Sequence, residues 1–117
     1  MNTSKKILVA LDLDEQSKIA FKYAHFYAEI LSYELEVLTV VEESSLISKM
    51  FSSDDLTMKL NEELKRKIDL VVEPFRGKVN INTHIAHGKP YEKIAEFAKH
   101  SMPAFIVMGR SEIEKQD

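Results

Sequence analysis

The chain contains no cysteine among its 117 residues, which excludes disulfides, thiolate metal sites and thiol nucleophiles. Glycine is nearly as scarce, at three residues. Neither a dinucleotide Gly-x-Gly-x-x-Gly, a Walker loop nor a Ser-His-Asp arrangement is present. No apolar run approaches the roughly 18 residues of a membrane-spanning helix. The first six residues, Met1-Asn2-Thr3-Ser4-Lys5-Lys6, meet a strand rather than the hydrophobic region of a secretory signal, so the expected location is cytoplasmic. An excess of one charge is lacking too. Sixteen Lys and Arg against 19 Asp and Glu leave a net charge of −3 with no basic block, which argues against nonspecific binding to nucleic acid or to an anionic membrane. What remains is ordinary for a soluble globular protein, with 44% hydrophobic and 30% charged residues. The length suits one core and not two, so residues 1–117 are expected to form one domain.

Two hydrophobic periods alternate along the chain. Ile7-Leu8-Val9-Ala10-Leu11 is a short apolar run, as expected of a central strand buried on both faces. Asp14 can cap a helix running to about Leu31, whose apolar stripe is Ile19, Ala20, Tyr23, Ala24, Tyr27, Ala28 and Leu31. Leu35 to Val41 is strand-like, with β-branched Val37, Val40 and Val41. A Ser-rich stretch from Glu42 to Asp55 follows, carrying Leu46, Ile47, Met50 and Phe51. Beyond it Leu56, Leu60, Leu64, Ile68 and Val71 recur at helical spacing until Pro74, and Gly77 closes the element. Val79, Ile81, Thr83 and Ile85 alternate with Asn80, Asn82 and His84. One wetter face predicts a strand at the sheet edge. Pro90 suits the first turn of a helix holding Ile94, Ala95 and Ala98, which ends before Pro103. Phe105 to Met108 is the fourth strand.

Strand and helix alternate with connections far too long for hairpins, which dictates parallel pairing and right-handed crossovers. Helices must then cover both faces. The expected fold class is a three-layer α/β/α domain with a parallel sheet. In such sheets ligands occupy the crevice beyond the carboxyl ends of the strands. Four segments point there: Ala10-Leu11-Asp12, Val40-Val41-Glu42, His87-Gly88-Lys89-Pro90 and Met108-Gly109-Arg110.

These four segments, in this order and spacing, resemble the universal stress protein family over about residues 5–110. Its domains open with a strand ending in a hydrophobic-Asp step, carry Gly-x-Pro before the third helix, and place an Ile-Val-Met-Gly strand near the end. The resemblance implies an adenine-nucleotide alpha-hydrolase-like topology with strand order 3-2-1-4-5. It also implies that Ala10, Leu11, Asp12 and Val40 border adenine and ribose, and that Met108 and Gly109 line the same pocket. In nucleotide-binding relatives the phosphates rest on a Gly-x-x-Gly turn followed nine residues later by Gly and Ser or Thr. Here Gly109 is present, the second glycine position is Glu112, and the later pair and the fifth strand lie past Asp117. A carboxylate there repels phosphate, which Arg110 attracts only through one side chain. The expected sheet is therefore 3-2-1-4, with Ser111 to Asp117 as a charged tail.

Individual residues admit more than one reading. Asp12 can hold a ribose hydroxyl or a metal, or it can cap the next turn. Gly88 and Pro90 shape either an anion site at a helix start or merely a turn. His25, His84, His87 and His100 are scattered without the pairing of a metal site, and only His87 ends a strand. Leu46, Ile47, Met50 and Phe51 form either a surface for a protein partner at residues 44–55 or a segment tucked beneath the neighbouring helix. Asp12 and Asp14 resemble the paired acids of haloacid-dehalogenase-type phosphatases. That motif continues with Thr or Val where this chain has Gln16, and it needs a downstream acidic pair that Met108-Gly109-Arg110-Ser111 does not supply.

The fourth strand carries a further expectation. As a hydrophobic edge it is an aggregation template unless covered, and one face of the first and fourth strands is expected to lack a helix. Each large side chain left wet forfeits roughly 1.5–3 kcal/mol against a total stability of about 5–15 kcal/mol. A homodimer through this strand is expected. Two functional readings follow. One is a non-catalytic stress-response or regulatory module with a degenerate nucleotide site and no required cofactor. The other is an ATP- or AMP-binding protein whose phosphate site is completed by a partner chain, or by Arg110 with the Gly88 turn.

Overall fold

In the computed structural model, which describes residues 5–42 and 54–109, four strands form one parallel sheet in the order β3-β2-β1-β4. In chain order the elements are β1 (Lys6–Ala10), α1 (Glu15–Leu31), β2 (Glu34–Val41), α2 (Asp54–Val72), a 3-10 turn (Glu73–Phe75), β3 (Ile81–His87), α3 (Pro90–Ser101) and β4 (Phe105–Val107). The three-layer α/β/α class is the one expected. The 44–55 segment lies almost wholly outside the described residues, as do Arg110 and Glu112.

The register explains the layers. Ile7 pairs with Leu35 on one side and Phe105 on the other, and Val9 with Val37 and Val107. Side chains alternate across a strand. Ile7, Val9, Leu11, Leu35 and Val37 therefore face α1 and α2, where Ala20, Phe21, Ala24, Ala28, Ile68 and Val72 complete one buried cluster. Leu8 and Leu38 face the other way and meet Ile94 of α3. No helix among the described residues is long and apolar enough to cross a membrane.

Two sequence expectations need correction. Only the alanines of the α1 stripe turn inward, joined by Phe21 and His25, whereas Ile19, Tyr23, Tyr27 and Leu31 are exposed. Small side chains let the helix lie close to the sheet, and Phe21 then reaches past them to meet Phe75 edge-on, with centroids 5.1 Å apart. The second correction concerns β1, whose Ile7, Leu8 and Val9 are fully buried on both faces. The exposure is confined to β4, where Phe105 and Ile106 are half exposed. Likewise, the first half of α2 extends past the core. Leu56 and Leu60 are exposed, while Ile68 and Val72 are buried.

Candidate functional site

Parallel pairing brings the carboxyl ends of all four strands to one edge, and a cavity of about 280 Å³ opens there. Its apolar floor is Ala10 from β1, Leu38 and Val40 from β2, Ile94 from α3 and Met108 after β4. Asp12, Asp14, Gln16 and Ser17 form a polar rim, and Pro90 and Tyr91 form one wall. Gly109 closes the side where β4 ends.

The β1–α1 turn builds the rim. Leu13 takes a left-handed conformation, φ 70°, a backbone region that a leucine seldom adopts. This reversal puts Asp14 at the N-cap of α1, where its Oδ1 accepts from the Ser17 amide at 2.8 Å. The Ser17 hydroxyl donates to the Asp14 carbonyl at 3.2 Å and accepts from the Asp12 amide at 2.9 Å. Donation from the Ser17 amide first, and from the Ser17 side chain next, holds the Asp14 carboxyl below its usual pKa range, because it favours the charged form. An amide that would otherwise serve an incoming anion at this helix start is occupied by the chain's own carboxylate. It is also not the free proton donor that phosphatase chemistry asks of Asp14.

Asp12 behaves oppositely. Loss of solvent in the pocket raises its pKa, and the neighbouring charges of Asp14 and Glu42 raise it further. The pocket mouth is thus a site where negative charge is already crowded.

Of the residues expected here, Ala10, Asp12, Val40, Met108 and Gly109 line the cavity. Leu11 does not. Its side chain is fully buried in the α1-facing core, and its amide bonds the Leu38 carbonyl at 2.9 Å. Gly88 also lies outside the lining. Its φ of 140° is accessible chiefly to glycine, and its amide ties β3 to the Val41 carbonyl at 2.9 Å, which is a turn-making role. His87 points to α2, where its Nε2 lies 2.9 Å from Asn61 Oδ1. Arg110 falls outside the described residues. Sequence reasoning passed over Gln16, Ser17, Leu38, Tyr91 and Ile94, which reach the cavity only because α1 and α3 begin at its rim. Among the described residues no group of three or more His, Asp or Glu side chains is disposed to hold a metal.

Gly109 owes its identity to packing as well. A Cβ on it would sit 2.7 Å from the Gln16 carbonyl oxygen and 2.9 Å from the Ser17 nitrogen. These are backbone atoms of the first turn of α1 and cannot swing away. Gly109→Ala is therefore expected to cost about 1–3 kcal/mol and to push the end of β4 off α1. Urea denaturation checks it, and an unchanged midpoint would show that the two segments are not in contact.

A second polar cluster lies on the α3 face. Glu36 of β2 has a side chain only 7% exposed. Its Oε1 accepts from His84 Nε2 at 2.6 Å, and its Oε2 from Asn82 Nδ2 at 3.0 Å. His84 in turn packs on Phe97 of α3, with centroids 4.6 Å apart. Parallel registry explains the cluster, since Glu36 pairs with Asn82 and Leu38 with His84.

The model of the universal stress protein family matches residues 3–115. The chain belongs to the universal stress protein family. Solved structures similar to this family member include the hypothetical protein MJ0577, 25% identical, with 97% of this chain and 82% of that one covered and a TM-score of 0.79. Universal stress protein UspA from Lactobacillus plantarum is 23% identical, covered over 95% and 83%, with a TM-score of 0.67. A universal stress protein in complex with cAMP is 18% identical, covered over 91% and 76%, with a TM-score of 0.63. These last two likenesses establish a shared fold. Comparison with curated protein sequences gave no match. Relative to this universal stress protein fold, the cavity sits where the four strand-end segments converge.

Proposed function

We propose that this universal stress protein is a non-catalytic regulatory module with a degenerate nucleotide site, one that receives the nucleoside half of an adenine nucleotide and holds its phosphates weakly. The observation that carries the reading is the division of the cavity into an apolar floor and an anionic rim. A flat base fits against Ala10, Leu38, Val40, Ile94 and Met108, and a ribose hydroxyl can donate to Asp12. A triphosphate, by contrast, meets Asp12 and Asp14 at the rim, with the charge of Glu42 acting on Asp12 nearby, and finds the Ser17 amide taken. The volume of about 280 Å³ lies just below the roughly 300–1,000 Å³ usual for small-molecule pockets, which favours a small ligand. The related structure in complex with cAMP supports a nucleotide with a single phosphate. Glu112 at the second glycine position of the family's phosphate turn supports the same reading. No cofactor is required on this view.

Calorimetric titration tests it. Adenosine and AMP are expected to bind with similar affinity, and ATP more weakly than about 1 mM, worth only about 4 kcal/mol. Asp12→Asn is expected to narrow the gap between AMP and ATP by removing one charge from the rim. Micromolar ATP affinity would reject the degenerate site and favour the alternative, in which a partner chain completes the phosphate site.

A further inference from the structure

Tyr91 is the one aromatic side chain among the described residues that line the strand-end cavity, and the packing of the fold does not account for it. It is 70% exposed, so the core gains little from it. Among the described residues no other aromatic ring packs against it. Its backbone is nevertheless held to the cavity. The Gly88 amide bonds the Val41 carbonyl at 2.9 Å, and the Lys93 amide bonds the Lys89 carbonyl at 3.0 Å, so α3 starts at a fixed place beside the end of β2. Pro90 sets the first helical residue. Ile94, on the same helix face as Tyr91, is 8% exposed and packs on Leu8 and Leu38. Tyr91 therefore stands at the border of the Leu38 and Val40 floor on an anchored Cα, with only its side-chain torsions left to settle. In the strand order β2-β1-β4, Met108 lies across β1 from that wall, and it is 44% exposed.

We propose that Tyr91 is the specificity-determining residue of this cavity, turning its ring onto the face of a planar nucleobase that rests on the floor between Val40 and Met108. The inference rests on the nucleoside reading above and adds what selects the base. Three properties single out Tyr91. A ring without an aromatic partner in the free protein gives up no stacked contact when it turns onto a base, and few torsions are frozen in doing so. The remaining side chains of the rim, Asp12, Asp14, Gln16 and Ser17, are polar, and offer a base no π face. The floor itself is aliphatic apart from the thioether of Met108, so it accepts any apolar group of the right size and discriminates little. Selection for aromaticity falls to the tyrosine. Stacking grows with the overlapping π area, so a purine with its fused rings gains more from Tyr91 than a pyrimidine does.

Calorimetric titration of the full chain with adenosine and with uridine tests the proposal, alongside Tyr91→Ala and Tyr91→Phe. Adenosine is expected to bind the unaltered chain at least about fivefold more tightly than uridine. Tyr91→Ala is expected to weaken adenosine at least about tenfold and to bring the two nucleosides within about twofold of each other. Tyr91→Phe keeps a stacking ring and is expected to retain the original affinity within about twofold. Both variants are expected to show an unchanged far-UV circular dichroism spectrum, because the side chain lies outside the core. Adenosine bound equally well by the unaltered chain and Tyr91→Ala would overturn the role of Tyr91 and leave the nucleoside reading standing. Equal losses in the two variants would also overturn it, because the hydroxyl and not the ring face would then make the contact. Absence of any adenosine binding by the unaltered chain would reject the nucleoside reading itself, and this proposal with it.

Discussion

Phe21→Ala is expected to remove about 3–5 kcal/mol of stability, enough to unfold much of the population of a domain worth about 5–15 kcal/mol. Phe21 is fully buried at the centre of the α1-facing core, and its ring meets Phe75 edge-on. Truncation forfeits the transfer of the whole ring, leaves a cavity that Ala20 and Ala24 are too small to fill, and breaks an aromatic pair worth about 0.5–1.5 kcal/mol beyond its area. Phe21→Leu keeps most of the volume and is expected to cost less than about 1.5 kcal/mol. Urea unfolding with a constant slope measures both. A loss under about 1 kcal/mol for the alanine variant would place Phe21 outside the core.

His84→Ala is the other large effect. It strips Glu36 Oε1 of its 2.6 Å partner and leaves a carboxylate beneath α3 held by Asn82 alone. Loss of a hydrogen bond to a charged group typically costs about 1.5–3 kcal/mol. A loss of about 2 kcal/mol is expected here, because the His84 side chain is 38% exposed and water can enter once it is gone. The diagnostic comparison is the double replacement of Glu36 and His84 by leucine. With both partners removed no buried charge is stranded, and the Asn82 amide that loses Glu36 is only half-buried, so the double variant is expected to be more stable than His84→Ala alone. Equal destabilisation of the two would mean that the histidine contributes by packing on Phe97 and not through the carboxylate.

Both residues show where sequence reading stops. Phe21 lies two positions from both Ile19 and Tyr23, on the other side of the helix at 100° per residue, and a helical wheel has no means of ranking a broad apolar face against a narrow one. The helix is apolar on nearly all sides. Which side turns inward is decided by which neighbours, Phe75 and the alanine contact with the sheet, accept it. His84 read as an isolated polar residue on the wet face of an edge strand. Its partner is 48 residues away in sequence, and only the parallel registry of β2 with β3 joins them.

The candidate site divides in the same way. Ala10, Asp12, Val40, Met108 and Gly109 were legible because strand ends are, and in a parallel sheet strand ends converge. Leu11 shares that strand end but belongs to the core, since alternation points its side chain to α1. Gln16, Ser17, Tyr91 and Ile94 carry no pattern that marks them. They arrive through the angle at which helices leave the sheet.

Hydrophobic period, crossover length and the spacing of turn residues are local properties. From them the sequence by itself determined a parallel α/β sheet, its strand order through the family resemblance, and the end of the sheet at which a ligand would sit. The Asp14 cap on α1 is likewise local, three residues from its partner Ser17; the tertiary structure alone decided which face of α1 is inside and which buried acid finds a histidine. Those outcomes depend on contacts between segments distant in the chain, and their energies exist only once the sheet has brought the segments together.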